Sequence, residues 1–134
     1  MNYWLVKTEP DTYSWDDLVK EKVGTWDGVR NFQARSNMKA MKNGDQVFVY
    51  HTGDEKSVIG IAKVVKEPYP EPKDKDWVAV DLSAGKKLKN PVSLSQIKSD
   101  KRLANMVLVR ASRLSVQPVK PEEWDLVISL SEGK

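Results

Sequence analysis

Apolar positions fall in short runs along the chain, separated every few residues by proline, glycine or charge. Tyr3-Trp4-Leu5-Val6 is an unbroken aromatic and branched run that halts at Glu9-Pro10, which predicts a strand over residues 3–6 stopped by the proline. Ser14 with Asp17 three positions on has the form of a capping box and predicts a short helix from Trp15 to about Glu21. Residues 25–30 contain Gly28 and are expected to form a loop. Phe32, Met38 and Met41 then recur near helical spacing, so residues 31–41 are expected to be helical until Asn43-Gly44-Asp45 ends them. Two β-rich runs follow, residues 46–51 and 57–65, joined through Gly53-Asp54 as a hairpin.

The second half has weaker periodicity. Three prolines among alternating charges make residues 67–76 an expected exposed loop, ahead of a strand over residues 77–82. Ser93 with Gln96 is a second capping box, opening a brief helix that carries Leu94 and Ile97. Residues 106–110 and 113–116 read as strand, and Pro121-Glu122-Glu123-Trp124 places proline and acids where a last helix should start. The sum is an α+β chain of about five or six short strands with short helices, its sheet curling into a partial barrel. With 134 residues and neither a repeat nor an interdomain linker, residues 1–134 are expected to form a single domain.

Composition narrows the chemistry. No apolar stretch nears the roughly 18 residues of a membrane span and no leader pattern precedes the first strand, so a cytoplasmic location without membrane contact is expected. The absence of cysteine removes disulfides, thiolate metal sites and a cysteine nucleophile. His51 is the lone histidine, no serine lies in a Gly-x-Ser-x-Gly elbow, and no phosphate-cradling glycine loop or metal-ligand spacing is present. A catalytic centre, a metal and a cofactor are therefore not expected. His51 itself suits a hydrogen-bonded structural group at a strand end better than a base.

Charge is unevenly placed. Residues 86–113 carry eight bases, Lys86, Lys87, Lys89, Lys98, Lys101, Arg102, Arg110 and Arg113, against the single acid Asp100. With a whole-chain charge of +3, that +7 sector leaves −4 for the remainder. Such a sector suits phosphate contact, the alternative being a solvated face with helix ends. Of the five tryptophans, Trp4, Trp15 and Trp124 fit a strand and two amphipathic helices and are expected in the core. Trp26, beside Asp27, Gly28, Arg30 and Asn31, and Trp77, after the proline-rich stretch, sit at loop edges, where an indole either caps the core or offers a face for a base to stack on. Asn31, Ser112 and the backbone near Lys7 and Thr8 can supply base-edge hydrogen bonds, while Arg30, Arg110 and Arg113 suit flanking phosphates.

Taken together, Tyr3-Trp4-Leu5-Val6-Lys7-Thr8-Glu9-Pro10, Tyr13-Ser14-Trp15-Asp16-Asp17-Leu18, the run from Trp26-Asp27-Gly28-Val29-Arg30-Asn31 through Phe32-Gln33-Ala34-Arg35, Tyr50-His51 and Ser112-Arg113-Leu114-Ser115-Val116 closely resemble EVE-domain proteins, in order and over nearly the whole chain. Ser36 and Met38 stand where members of the family often have other residues. The resemblance implies a PUA-like β-pseudobarrel related to YTH domains, and a reader of modified bases in DNA or RNA. Carried over by motif, Trp26 and Asn31 are implied as stacking wall and amide reader, and Lys7 and Thr8 as the first-strand rim. Tyr50 and His51 are implied as a side wall, Ser112 and Arg113 as the opposite lip, and Trp77, by its place alone, as a further cage residue. Lys86, Lys87, Lys98, Lys101, Arg102 and Arg110 are the expected phosphate contacts. The expected partner is DNA or RNA carrying a modified base, bound by a monomer. An enzyme acting on a nucleotide or small metabolite, and a protein-interaction module with a vestigial pocket, are the competing readings.

Overall fold

The computed structural model describes residues 1–133. Strand β1 (Tyr3–Thr8) runs parallel to β3 (Gln46–His51), with Tyr3 opposite Gln46 and Thr8 opposite His51. Both are near-continuous apolar runs, the pattern expected of parallel strands covered on both faces. Between them the chain makes α1 (Trp15–Glu21), β2 (Val23–Trp26) and α2 (Phe32–Lys39). Then β4 (Ser57–Pro70) returns antiparallel to β3, and β5 (Val78–Ser93) antiparallel to β4. Helix α3 (Leu94–Ser99), a 3-10 turn (Lys101–Leu103) and α4 (Val107–Arg110) lead to β6 (Val116–Val119) and α5 (Pro121–Ser131). The strands form one sheet in the order β2-β5-β4-β3-β1-β6.

The sheet is curled by its two longest strands. The register of β4 against β5 shifts at four places between Val58 and Tyr69, and such irregularities bend a strand and increase its twist. One bend lies at Gly60, where an added Cβ would stand 2.7 Å from the Trp15 indole, so only glycine lets that ring pack against β4. The concave face holds Trp4, Val6, Trp15, Leu18, Trp26, Met38, Val49 and Leu82. The convex face holds Leu5, Phe48, Val92, Ile97, Leu103, Trp124 and Val127 beneath the C-terminal helices. Trp4 and Val6 against Leu5 show the two-residue alternation of a strand dividing two cores.

Local signals act where they were read. Ser14 and Ser93 accept from the amides of Asp17 and Gln96, whose side chains return the bond, and Glu123 accepts from the Lys120 amide at 3.0 Å at the start of α5. Asp45 is buried, accepting from Trp4 Nε1 at 2.9 Å and from the amides of Asn2 and Lys42 at 3.0 Å. Those bonds tie the start of β1 to the turn before β3 and hold the Asp45 carboxyl below its ordinary range against the opposing pull of its burial.

The α+β class and the curled sheet with short flanking helices are as expected, but several elements differ. Residues 25 and 26 close β2 rather than open a loop; four residues including Gly24 carry no periodicity, and the strand exists because it pairs with Ser83 to Val80 of β5. Residues 67–70 continue β4, since Tyr69 and Pro70 pair with Ala79 and Val78 and the Tyr69 hydroxyl donates to Asp81 at 2.7 Å. The strand expected to end at 82 runs to Ser93. Residues 107–110 are helical despite Val-Leu-Val, because a single turn buries Leu108 in the convex core, and tertiary burial overrides β-propensity. Consequently β6 starts at Val116, not 113.

Candidate functional site

The two free edges of the curled sheet, β2 and β6, do not pair, and between them opens a cleft of about 480 Å³. Lys7 and Thr8 of β1 form one side with Glu9, Thr12 and Tyr13 of the following turn; Thr25 to Arg30 form the other; Ser115 and Val116 close the end. Trp26 is the floor. It is 8% exposed, packed into the concave core, and met edge-on by Tyr13 at 5.6 Å between centroids and 83° between planes. Tyr13 can come this near because residue 24 is glycine: a Cβ there would collide with its hydroxyl oxygen. The Tyr13 hydroxyl donates to Glu21, and burial first and that carboxylate second push its pKa upward. The turn is tied down by Thr8 Oγ1 donating to the Tyr13 carbonyl at 2.6 Å, and the lip by the Lys7 amide donating to the Ser115 carbonyl at 2.9 Å.

The opposite wall is held by a carboxylate. Glu71, 3% exposed, accepts from the Gly28 amide at 3.0 Å and from both arms of Arg30, at 2.7 and 3.0 Å. The bidentate fork fixes the loop after β2 in the left-handed turn that Gly28 makes at φ 77°. Arg30 holds the Glu71 carboxyl below its ordinary range, the Gly28 amide adding to it while desolvation opposes. Behind this pair Arg30 lies over Trp77 at 5.2 Å, and Phe32, highly exposed, stacks on Trp77 at 5.4 Å with Arg35 across both rings.

Of the residues singled out in the sequence, Lys7, Thr8, Trp26 and Arg30 come together here. Trp26 arrives as a buried strand end, not as a loop edge. Asn31 does not line this cleft: its Oδ1 accepts the Ala34 amide at 2.9 Å as N-cap of α2, and it borders a shallow face with Ser112 and Arg113. Tyr50 and Ser112 line a neighbouring cleft with Lys7. His51 is buried away from both, its Nε2 accepting the Trp15 amide at 3.0 Å. That bond leaves the proton on Nδ1, which faces Glu55 at 3.1 Å. Trp77 stands behind Arg30, outside the cleft.

None of Lys86, Lys87, Lys98, Lys101, Arg102 and Arg110 lines the cleft. Lys86 and Lys87 are exposed on β5, Lys101 borders a groove beside α3, and Arg102 spends its fork on Asp100 at 3.0 and 2.8 Å. Arg110 donates to Asn105. The cleft residues not expected from the sequence are Glu9, Thr12, Tyr13, Thr25, Asp27, Gly28, Val29, Ser115 and Val116, with Glu71 behind them. All of the lining residues but Thr12 and Thr25 lie inside the family motifs; nothing in spacing separates Glu71 from Glu67 or Asp74. Among the described residues no cluster of histidine or acid side chains is placed to hold a metal, and no helix is long and apolar enough to cross a membrane.

A curled α+β sheet with a polar-rimmed, tryptophan-floored cleft at its open seam is the architecture of a pseudobarrel. The chain belongs to the EVE domain family, whose model matches residues 2–130. It is 35% identical to human thymocyte nuclear protein 1 over 98% of this chain and 74% of that protein. Among solved structures it resembles a protein from Rhodopseudomonas palustris, 46% identical with a TM-score of 0.94 over 98% of this chain and 94% of that one. It also resembles human THYN1 protein in complex with 5-methylcytosine containing DNA, 33% identical with a TM-score of 0.92 over 100% of this chain and 99% of that one. An ASCH protein from Zymomonas mobilis, 17% identical with a TM-score of 0.59 over 96% of this chain and 95% of that one, shares the fold alone.

Proposed function

We propose that this chain binds nucleic acid and takes one base, carrying a modification such as a 5-methyl group, into the cleft between β2 and β6. The observation that carries the reading is the cleft itself. It has a buried indole floor and an apolar end at Val116, and its rim bears both a cation, Lys7, and carboxylates, Glu9 and Asp27. Its size falls within the roughly 300–1,000 Å³ usual for small-ligand sites. Likeness over the full chain to a protein solved with 5-methylcytosine DNA supports the ligand class. Stacking on Trp26 supplies affinity without sequence preference, while the Glu9 and Asp27 carboxylates accept from an exocyclic amine. The chain acts as a binder and not a catalyst in this reading: its one imidazole is consumed by the Trp15 amide.

The test is a titration with matched oligonucleotides, single- and double-stranded, DNA and RNA, carrying cytosine or 5-methylcytosine. A methyl group buried against Val116 is worth about 0.8 kcal/mol, or roughly fourfold in affinity. Trp26→Phe is expected to keep binding and Trp26→Ala to lose it by more than its loss of stability explains. No preference for any modified base, with Trp26→Ala still binding like wild type, would sink the proposal.

A further inference from the structure

Beside the seam lies a second cleft of about 290 Å³, opening between the β3–β4 turn and the connection from α4 to β6. Lys7 lines both clefts and so forms their common wall. The charged residues among those lining the second cleft are Lys7 and Lys56, both cationic; Thr52, Gly53 and Ser112 add a polar rim and Leu108 an apolar floor. None of the nearby acids lines the space: Glu55 faces His51 Nδ1 at 3.1 Å, and Glu9 stands at the outer edge of the rim, accepting from the Thr52 hydroxyl at 3.4 Å and lying beside Gly53.

Two further observations concern the lysines. The Lys7 ammonium donates to the Ser112 carbonyl and lies 5.6 Å from the centre of the Tyr50 ring; burial lowers its pKa. It is a cation that has lost hydration and has a neutral partner, which an anion would compensate. Lys56 has φ 43°, in the left-handed region that a side chain disfavours, and the Leu94 amide donating to its carbonyl at 2.8 Å holds it there. Strain of this kind persists where surrounding structure fixes it, and here it sets the side chain at the cleft.

We propose that this second cleft is a phosphodiester subsite, holding the backbone group next to the base taken up by the β2–β6 cleft. Lys7 and Lys56 supply the charge and Ser112 a hydroxyl donor. The proposal rests on the base-binding reading above. It moves the phosphate path from the Lys86 to Arg110 sector to the rim shared by β1, the β3–β4 turn and the Ser112 connection.

The experiment uses the full chain and amide NMR with three probes: an abasic oligodeoxynucleotide, inorganic phosphate, and free 5-methyl-2′-deoxycytidine. The abasic strand is expected to shift the amides of Thr52, Gly53, Lys56 and Ser112. Lys56→Gln should reduce the slope of log affinity against log salt by about 0.7–0.9, the value for one phosphate contact, and Lys101→Gln should leave it unchanged. Shifts confined to residues 98–102, no shifts at all, or an unchanged slope in Lys56→Gln would overturn the subsite. Inorganic phosphate binding as tightly as the abasic strand would overturn it too, by making this a free-anion site. The nucleoside, which carries no phosphate, probes the β2–β6 cleft, so its failure condemns base uptake while the abasic strand still decides the phosphate contact.

Discussion

Trp124 and Trp26 are nearly equally buried, at 4% and 8% exposure, yet the structure uses them differently. Trp124 on α5 stacks on Phe48 with centroids 3.7 Å apart and planes at 12°, and meets Tyr3 at 4.6 Å. Trp26 has Tyr13 edge-on at 5.6 Å and the cleft beside it. The convex core is a closed stack; the seam is a core with one side left open. Burial fraction therefore does not tell a packing tryptophan from a binding one, whereas the neighbours on each side of the ring do.

The comparison breaks first at Trp124. Trp124→Ala is expected to cost about 3–5 kcal/mol in chemical denaturation, because its ring neighbours cannot close the hole. The folded fraction should keep any preference among bases unchanged; a lost preference would mean the two regions are coupled.

Asn31 sharpens the boundary of the seam. As an N-cap it should lose about 1 kcal/mol of stability on replacement by alanine, read as a lower melting temperature, with discrimination between cytosine and 5-methylcytosine intact. A collapse of discrimination without a change in melting would return Asn31 to the role of base reader.

The smallest expected change in stability concerns Glu71, since Arg30 is well exposed to water. Arg30 depresses the Glu71 pKa from its ordinary 4.5, so the stabilisation is fully present above about that pH and is lost as pH falls through the lower folded value. Oligonucleotide affinity should carry a step below about pH 4.5 in wild type that Glu71→Gln lacks. In the variant, affinity at neutral pH should fall more than melting temperature, because the loop from Gly28 to Arg30 loses its anchor. Equal proportional losses would make Glu71 a general stabiliser and not the holder of the cleft wall.

Legible in the residues alone were the α+β class, the apolar strands over residues 3–6 and 46–51, the capping boxes at Ser14 and Ser93, the core tryptophans and the family motifs. These are local: periodicity, capping and composition act within a few residues. It also put Lys7, Thr8, Trp26 and Arg30 on one list, through motif. What it did not contain was the seam. That Glu71 reaches back to Arg30, that His51 is consumed by Trp15, and that Lys7 divides two clefts depend on pairings between residues 36 to 105 positions apart. Asn31 is the exception: its partner, the Ala34 amide, is three positions on, a local capping bond that its place in the family motif outweighed. Those partners were chosen by the bends of β4 and β5, which decide which edges face each other. A curled sheet brings side chains together by where it bends, and that geometry leaves no local pattern to read.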